Sequence, residues 1–149
     1  MTKNAKSLTR LVAVQALYQM EMAGTDIDDI INSLGERLIF DNQDDYLIRD
    51  VNKKLLAEMI NGVIDNQKQI DKTIEKNLSS NWKFNRLDKI LKAILRAAVY
   101  EILHKLDTPI KVIINEYINI THSFYSQKEP EFINAILDKI AIIERVSDG

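Results

Sequence analysis

The chain has 149 residues, 46% of them hydrophobic, a formal net charge of -2 and no cysteine. That length buries a sizeable core without covalent staples, so a single domain over residues 1–149 is expected, and the missing thiols exclude disulfides, zinc–thiolate sites and thiol catalysis together. No apolar run approaches a membrane span, and MTKNAKSLTR leads into a segment broken by Gln15, Gln19 and Glu21 instead of a signal-peptide core, so a cytoplasmic protein without a membrane partner is expected.

The first helix is predicted from about Ala5 to Ala23, with Leu8, Leu11, Val12, Ala13, Val14, Ala16 and Leu17 leaving so little polar surface that it should be central and mostly buried. Lys3, Lys6 and Arg10 are spaced three and four apart, so in a helix they form a short cationic stripe. TDIDDIINSLGE predicts a second, short helix with Thr25 or Asp26 as N-cap and acids in the first turn, where the helix dipole favours them. After a turn at DNQDD comes a long periodic segment through Tyr46, Leu47, Val51, Leu55, Met59, Val63, Ile70 and Ile74, with a break expected at Asn61-Gly62.

LSSNWKFNRLDK interrupts that periodicity, and Trp82 and Phe84 in it read as plugs of the core in preference to a stacking platform. KILKAILRAAVYEILHK follows, with Leu87, Leu91, Ile94, Leu95, Ala98 and Ile102 as its buried stripe and Arg86, Lys89, Lys92 and Arg96 on the opposite arc. In LDTPIKVIINEYINITHSFY, Thr108 is the expected N-cap, Pro109 the first helical residue, and Val112, Ile113, Tyr117 and Ile120 the core. A last helix is expected from Pro130. Nowhere is there a period-two run of strand length bounded by turn residues, so the fold class is all-α, with six or seven helices joined by short loops.

Charge is unevenly distributed along the chain. From Glu21 to Asp50 nine acids face Arg37 and Arg49, whereas from Ser79 to Lys105 six cations face Asp88 and Glu101. Catalytic signals are missing: no glycine-rich phosphate loop occurs, His104 and His122 stand eighteen apart outside any ligand spacing, and no carboxylate pair lies in an apolar setting that would split its pKa values. An enzyme is not expected, nor is a metal or other cofactor.

The stretch EFINAILDKIA sharpens the alternative. Ile133, Ile136, Leu137 and Ile140 share one arc of a helix, while Phe132 and Lys139, seven apart, stand on one edge of that stripe and Asn134 with Asp138 on the other. Single-stranded RNA is held by cations along the phosphates, by rings stacked on splayed bases and by amides at base edges. Lys3, Lys6 and Arg10 suit the first task, Phe132 the second, and Asn134 or Gln15 the third. Three or four neutralised phosphates correspond to a salt slope of about -2 to -3.

RLVAVQALYQME, ILRAAVYEIL, PIKVIINEYINIT and FINAILDKIA occur in an order and at a spacing that resemble the bacterial transcription antitermination factor NusB family, over essentially the whole chain. The resemblance implies a compact fold of about seven helices in two small bundles. It also implies a protein that pairs with the small-subunit ribosomal protein NusE and recognises the boxA element of nascent RNA on ribosomal RNA operons, within an elongation complex of other Nus factors and RNA polymerase. Carried over residue by residue, the RNA surface falls on Lys3, Lys6, Arg10, Phe132 and Asn134, with Lys139 beside them. The partner surface is assigned to Tyr18 and to Arg86, Lys89 and Lys92. Relatives often carry a denser arginine run at the N-terminus, where Ser7 and Leu8 stand here, so weaker electrostatic binding and more reliance on the partner are expected. The alternative is a helical homodimeric scaffold that makes no direct RNA contact.

Overall fold

The computed structural model describes residues 5–24, 29 and 51–145. All of the expected second helix but Asp29, the DNQDD turn, Tyr46, Leu47, Lys3 and almost all of the acidic segment lie outside the described residues. Among those described there are six α-helices and no strand: α1 (Ala5–Ala23), α2 (Lys53–Asp65), α3 (Gln67–Asn77), α4 (Lys89–His104), α5 (Ile110–Phe124) and α6 (Lys128–Glu144), with a single 3-10 turn at Phe84–Arg86.

Helix α1 has the expected bounds. Every residue from Leu8 to Leu17 is buried, an unbroken run that an ordinary surface helix with one apolar stripe never shows. It stops at Gly24, whose φ of 63° is costly for any residue with a Cβ, and whose N–H reaches back 2.9 Å to the Met20 carbonyl. Asn52 starts α2: its Oδ1 accepts the Leu55 N–H at 3.0 Å, while its own N–H donates to Thr9 Oγ1 at 2.9 Å and ties the helix to α1.

The break after α2 falls at Asn66 and not at Asn61-Gly62. Both the backbone N–H and the side-chain amide of Asn66 donate to the Gly62 carbonyl, at 3.1 and 2.8 Å, closing the helix there. Gly62 stays inside α2 because the Tyr100 ring occupies the space of a side chain: a Cβ would lie 2.8 Å from Tyr100 Oη and closer still to the ring carbons. The glycine marks a close approach of two helices where a bend was expected.

Helix α4 is the common element of the two bundles. It packs on α1, α2, α5 and α6, with α3 lying against α4 and α6. Asp88 caps its start, Oδ1 accepting the Ile90 N–H at 3.2 Å. Leu87, Leu91, Ile94, Leu95, Ala98 and Ile102 are buried as expected, as are Ile133, Ile136, Leu137 and Ile140 of α6. Each fully buried aliphatic contributes about 1.5–3 kcal/mol, and this seam belongs to one core cluster that draws on every described α-helix.

Three local expectations are corrected. Pro109, and not Thr108, occupies the N-cap position of α5, because the Thr108 carbonyl is turned toward Arg145 at 2.6 Å. Val112 points outward at 43% exposure, one position off the buried arc of Ile113, Tyr117 and Ile120. Helix α6 begins at Lys128, so Pro130 sits within its first turn, where a missing N–H breaks no intrahelical bond.

Arg145, which the sequence did not single out, locks the end of α4. Its guanidinium donates to the carbonyls of Ile102, Thr108, Glu101 and Lys105 at 3.0, 2.6, 3.2 and 2.6 Å, tying the last turn of that helix to the loop after it.

Candidate nucleic-acid interface

The cations among the described residues include a buried and an exposed population. Arg10 does not join Lys6 in a surface stripe: it is 6% exposed, at the junction of α1, α4 and α5. Its Nε and Nη2 grip Glu101 at 2.8 and 3.0 Å, and Nη1 donates to Glu116 at 2.9 Å. Tyr117, fully buried, donates to the same Glu101 at 2.5 Å, and Ser7 Oγ donates to Glu116. Burial alone would lower the Arg10 pKa, yet the Glu101 hydrogen bond and charge outweigh it and hold the guanidinium charged. Burial first, then the Glu101 carboxylate, push the Tyr117 phenol well above its ordinary value.

Arg96 is the second correction. Expected on the exposed arc of α4, it is 8% exposed, with a two-pronged pair to Asp71 of α3 at 2.9 Å and a longer one to Glu21 of α1 at 3.3 Å. Burial lowers its pKa and Asp71 more than restores it. Its guanidinium also lies over the Phe84 ring at 5.4 Å, beside the Lys92 ammonium at 5.2 Å, so Phe84 covers this face of α4. Gln15 is likewise buried, and no donor among the described residues reaches its Oε1. A buried amide of that kind does not read a base edge unless α1 is uncovered.

The other population is exposed. Lys6, Arg86, Lys89, Asn134 and Lys139 are exposed; Tyr18, Lys92 and Phe132 are half-buried. Arg86 and Lys89 make no ion pair with any described carboxylate. Lys139 reaches 3.5 Å to the Asn77 carbonyl, at the end of α3 where the helix dipole favours a cation. Phe132 stacks on Trp82, centroids 4.1 Å apart at 27°. Trp82 thus belongs with the expected site residue, and not with the core alone.

The geometry separates these groups into two places. Arg10 meets Glu101 near the end of α4 while Glu21 meets Arg96 at its middle, so α1 runs antiparallel to α4 and Lys6 lies toward the α4 C-terminus. Tyr125 pairs with Asp88 at the start of α4 and Arg145 caps its end, so α6 runs parallel to α4 and Phe132 lies toward the α4 N-terminus. His104 and His122 are both exposed, and no group of His, Cys, Asp or Glu among the described residues is placed to hold a metal. No described helix is long and apolar enough to cross a membrane.

The acids Glu101, Glu116 and Asp71, none of them a candidate site residue from the sequence, are the ion-pair partners that close the Arg10 and Arg96 sites. Glu101 carries a legible signal, a carboxylate inside the apolar run RAAVYEIL, which implies a buried cation opposite it. Trp82 carries another, the interleaving of rings and cations in WKFNR.

An all-helical double bundle around one central helix, with Arg10 and Arg96 turned inward and lysines and a ring pair left at the surface, places the molecule in the class of small helical-bundle proteins. Within that class the chain belongs to the NusB family, whose model matches residues 7–142. It is 40% identical over 136 residues to the transcription antitermination protein NusB of Caulobacter vibrioides, covering 91% of each chain. It is similar to the structure of T. maritima NusB with a TM-score of 0.75 at 32% identity, covering 94% of this chain and 92% of that one. The structure of antitermination factors NusB and NusE in complex with dsRNA shares the fold, with a TM-score of 0.77 at 19% identity over 93% of this chain and 97% of that one.

Proposed function

We propose that the protein acts in transcription antitermination as an RNA-binding adaptor of a single domain, working in the cytoplasm without a catalytic step. It pairs with the small-subunit ribosomal protein NusE, recognises the boxA element of nascent ribosomal RNA, and so joins other Nus factors on RNA polymerase. The observation that carries this reading is the likeness to a protein of that named function across nine-tenths of both chains. Shared fold with a NusB–NusE–RNA complex supports it further.

The RNA surface in this reading comprises Lys6 with Lys3 before it, and Phe132, Asn134 and Lys139 on α6. Arg10 contributes by holding α1 in place against α4 through Glu101, and Gln15 lies buried on the same helix. Tyr18, Lys89, Lys92 and Arg86 form the face assigned to the protein partner. With so few free cations the protein alone binds RNA weakly, and the partner supplies the remaining phosphate contacts.

Fluorescence anisotropy of labelled boxA RNA at several salt concentrations, with and without NusE, tests this. Weak binding alone that tightens on adding NusE is expected. Equal affinity with and without it would sink the adaptor reading, and self-association that persists with no RNA signal would favour a homodimeric scaffold.

A further inference from the structure

A recess of about 370 Å³ opens between residues 80–91 and the turn joining α5 to α6. Trp82, Leu91 and Tyr125 form its apolar wall, and Lys83, Arg86 and Lys128 stand around it. Two carboxylates, Asp88 and Glu129, also line it, so cations exceed acids by one. Asp88 is already committed: Oδ1 accepts the Ile90 N–H at 3.2 Å and Oδ2 accepts the Tyr125 hydroxyl. Burial, then the Asp88 bond, raise the Tyr125 pKa, so the phenol stays neutral at physiological pH. Lys83, Arg86 and Lys128 make no ion pair with any described carboxylate, in contrast to Arg10 and Arg96.

Trp82 stands at the centre of this region. One side of its ring is held by Phe132, and the rest lines both this recess and a second of similar size beside Leu78 and Phe84. Packing against a neighbouring ring fixes the indole orientation before any ligand arrives, which lowers the entropy cost of stacking on it. A fixed ring flanked by unpaired cations is the chemistry that holds a single-stranded nucleotide, base on the π-face and phosphates by the ammonium groups. A peptide would have to bring carboxylates to all three cations and a flat group to the ring, whereas every nucleotide carries both a base and a phosphate.

Resting on the RNA-binding reading above, we propose that this recess receives one unstacked nucleotide of the RNA. Its base lies against Trp82 beside Tyr125, and its flanking phosphates lie by Lys83, Arg86 and Lys128. Phe132 is then a positioning residue that holds Trp82, and Arg86 faces RNA instead of the protein partner.

Trp82 is the sole tryptophan of the chain, so fluorotryptophan incorporated into this protein alone gives one fluorine resonance that reports the recess. Labelled boxA RNA is titrated in the presence of unlabelled NusE while anisotropy and that resonance are followed together. The resonance should shift in step with the anisotropy. Trp82→Leu should weaken binding roughly 5- to 100-fold, within the range of single-base stacking losses, while Trp82→Phe retains most of the affinity. Lys83→Ala with Lys128→Ala should reduce the salt slope by about 1.4. Phe132→Leu should shift the resonance before any RNA is added and weaken binding less than Trp82→Leu does.

An anisotropy rise with an unmoved resonance in the unsubstituted protein overturns the recess and leaves the RNA reading intact. A resonance that NusE alone shifts, and that RNA then leaves unchanged, overturns it in favour of protein docking. No anisotropy change under any condition removes the RNA reading itself, and this proposal with it.

Discussion

Arg10 and Lys83 are both cations beside aromatic residues, yet they do opposite things. At the junction of α1, α4 and α5, Arg10 is buried with three hydrogen bonds to two carboxylates, one of which also accepts the Tyr117 hydroxyl. At the 78–88 edge, Lys83 is exposed and without an ion pair among the described residues, next to a Trp82 ring held by Phe132. The first site is closed electrostatically and contributes to folding; the second is open and has charge and ring surface left for a ligand. Counting charges along a chain does not separate the two, because availability depends on what the neighbouring helices bring.

The comparison is broken most severely at Arg10. Arg10→Met leaves Glu101 buried with only the Tyr117 hydroxyl, and should cost about 3–5 kcal/mol, seen as a lower urea midpoint with an unchanged slope. RNA binding would be lost in parallel with folding; loss of RNA binding at full stability would instead make Arg10 a direct contact.

A gentler probe of the same site is pH. Tyr117 has a raised folded-state pKa, as do Tyr100 and Tyr125, so below about pH 10 both folded and unfolded states keep these protons and stability is fully present. Above about pH 10 the unfolded chain releases them first, and stability falls by up to about 1.4 kcal/mol per pH unit for each such group until its folded pKa is passed. Tyr117→Phe should make this alkaline decline shallower in urea midpoints measured from about pH 8 to 11; an unchanged decline would remove Tyr117 from the account.

Next in size is Arg145→Ala, which strips the carbonyl cap from α4 and should cost about 1–3 kcal/mol, with Arg145→Lys recovering little because an ammonium cannot span the four acceptors. Hydrogen exchange should show the loss concentrated in the last turn of α4. The smallest effects on stability belong to the open edge. Lys6→Ala and Lys83→Ala should change unfolding free energy by no more than about 0.5 kcal/mol, while each makes the salt dependence of RNA binding shallower by about 0.7. A large stability change at either would place it with Arg10.

Periodicity and composition by themselves determined the helical class, the bounds of α1, and the buried faces of α4 and α6. Those rest on a spacing of 3.6 residues that no distant neighbour alters. The family was legible too, since four ordered segments match across the chain. What tertiary structure decided was where each polar side chain goes. Asn61-Gly62 looks like a bend until Tyr100 fills the space of its missing side chain, and the helix then breaks at Asn66, where an amide closes it. Arg10 and Arg96 look like surface cations until Glu101 and Asp71, 91 and 25 residues away, meet them. In the same way Phe132 looks like a free ring until Trp82 stacks on it. Helix periodicity is a local property of the chain, but the satisfaction of a charge or the exposure of a ring depends on partners distant in sequence, which only the packing of the helices supplies.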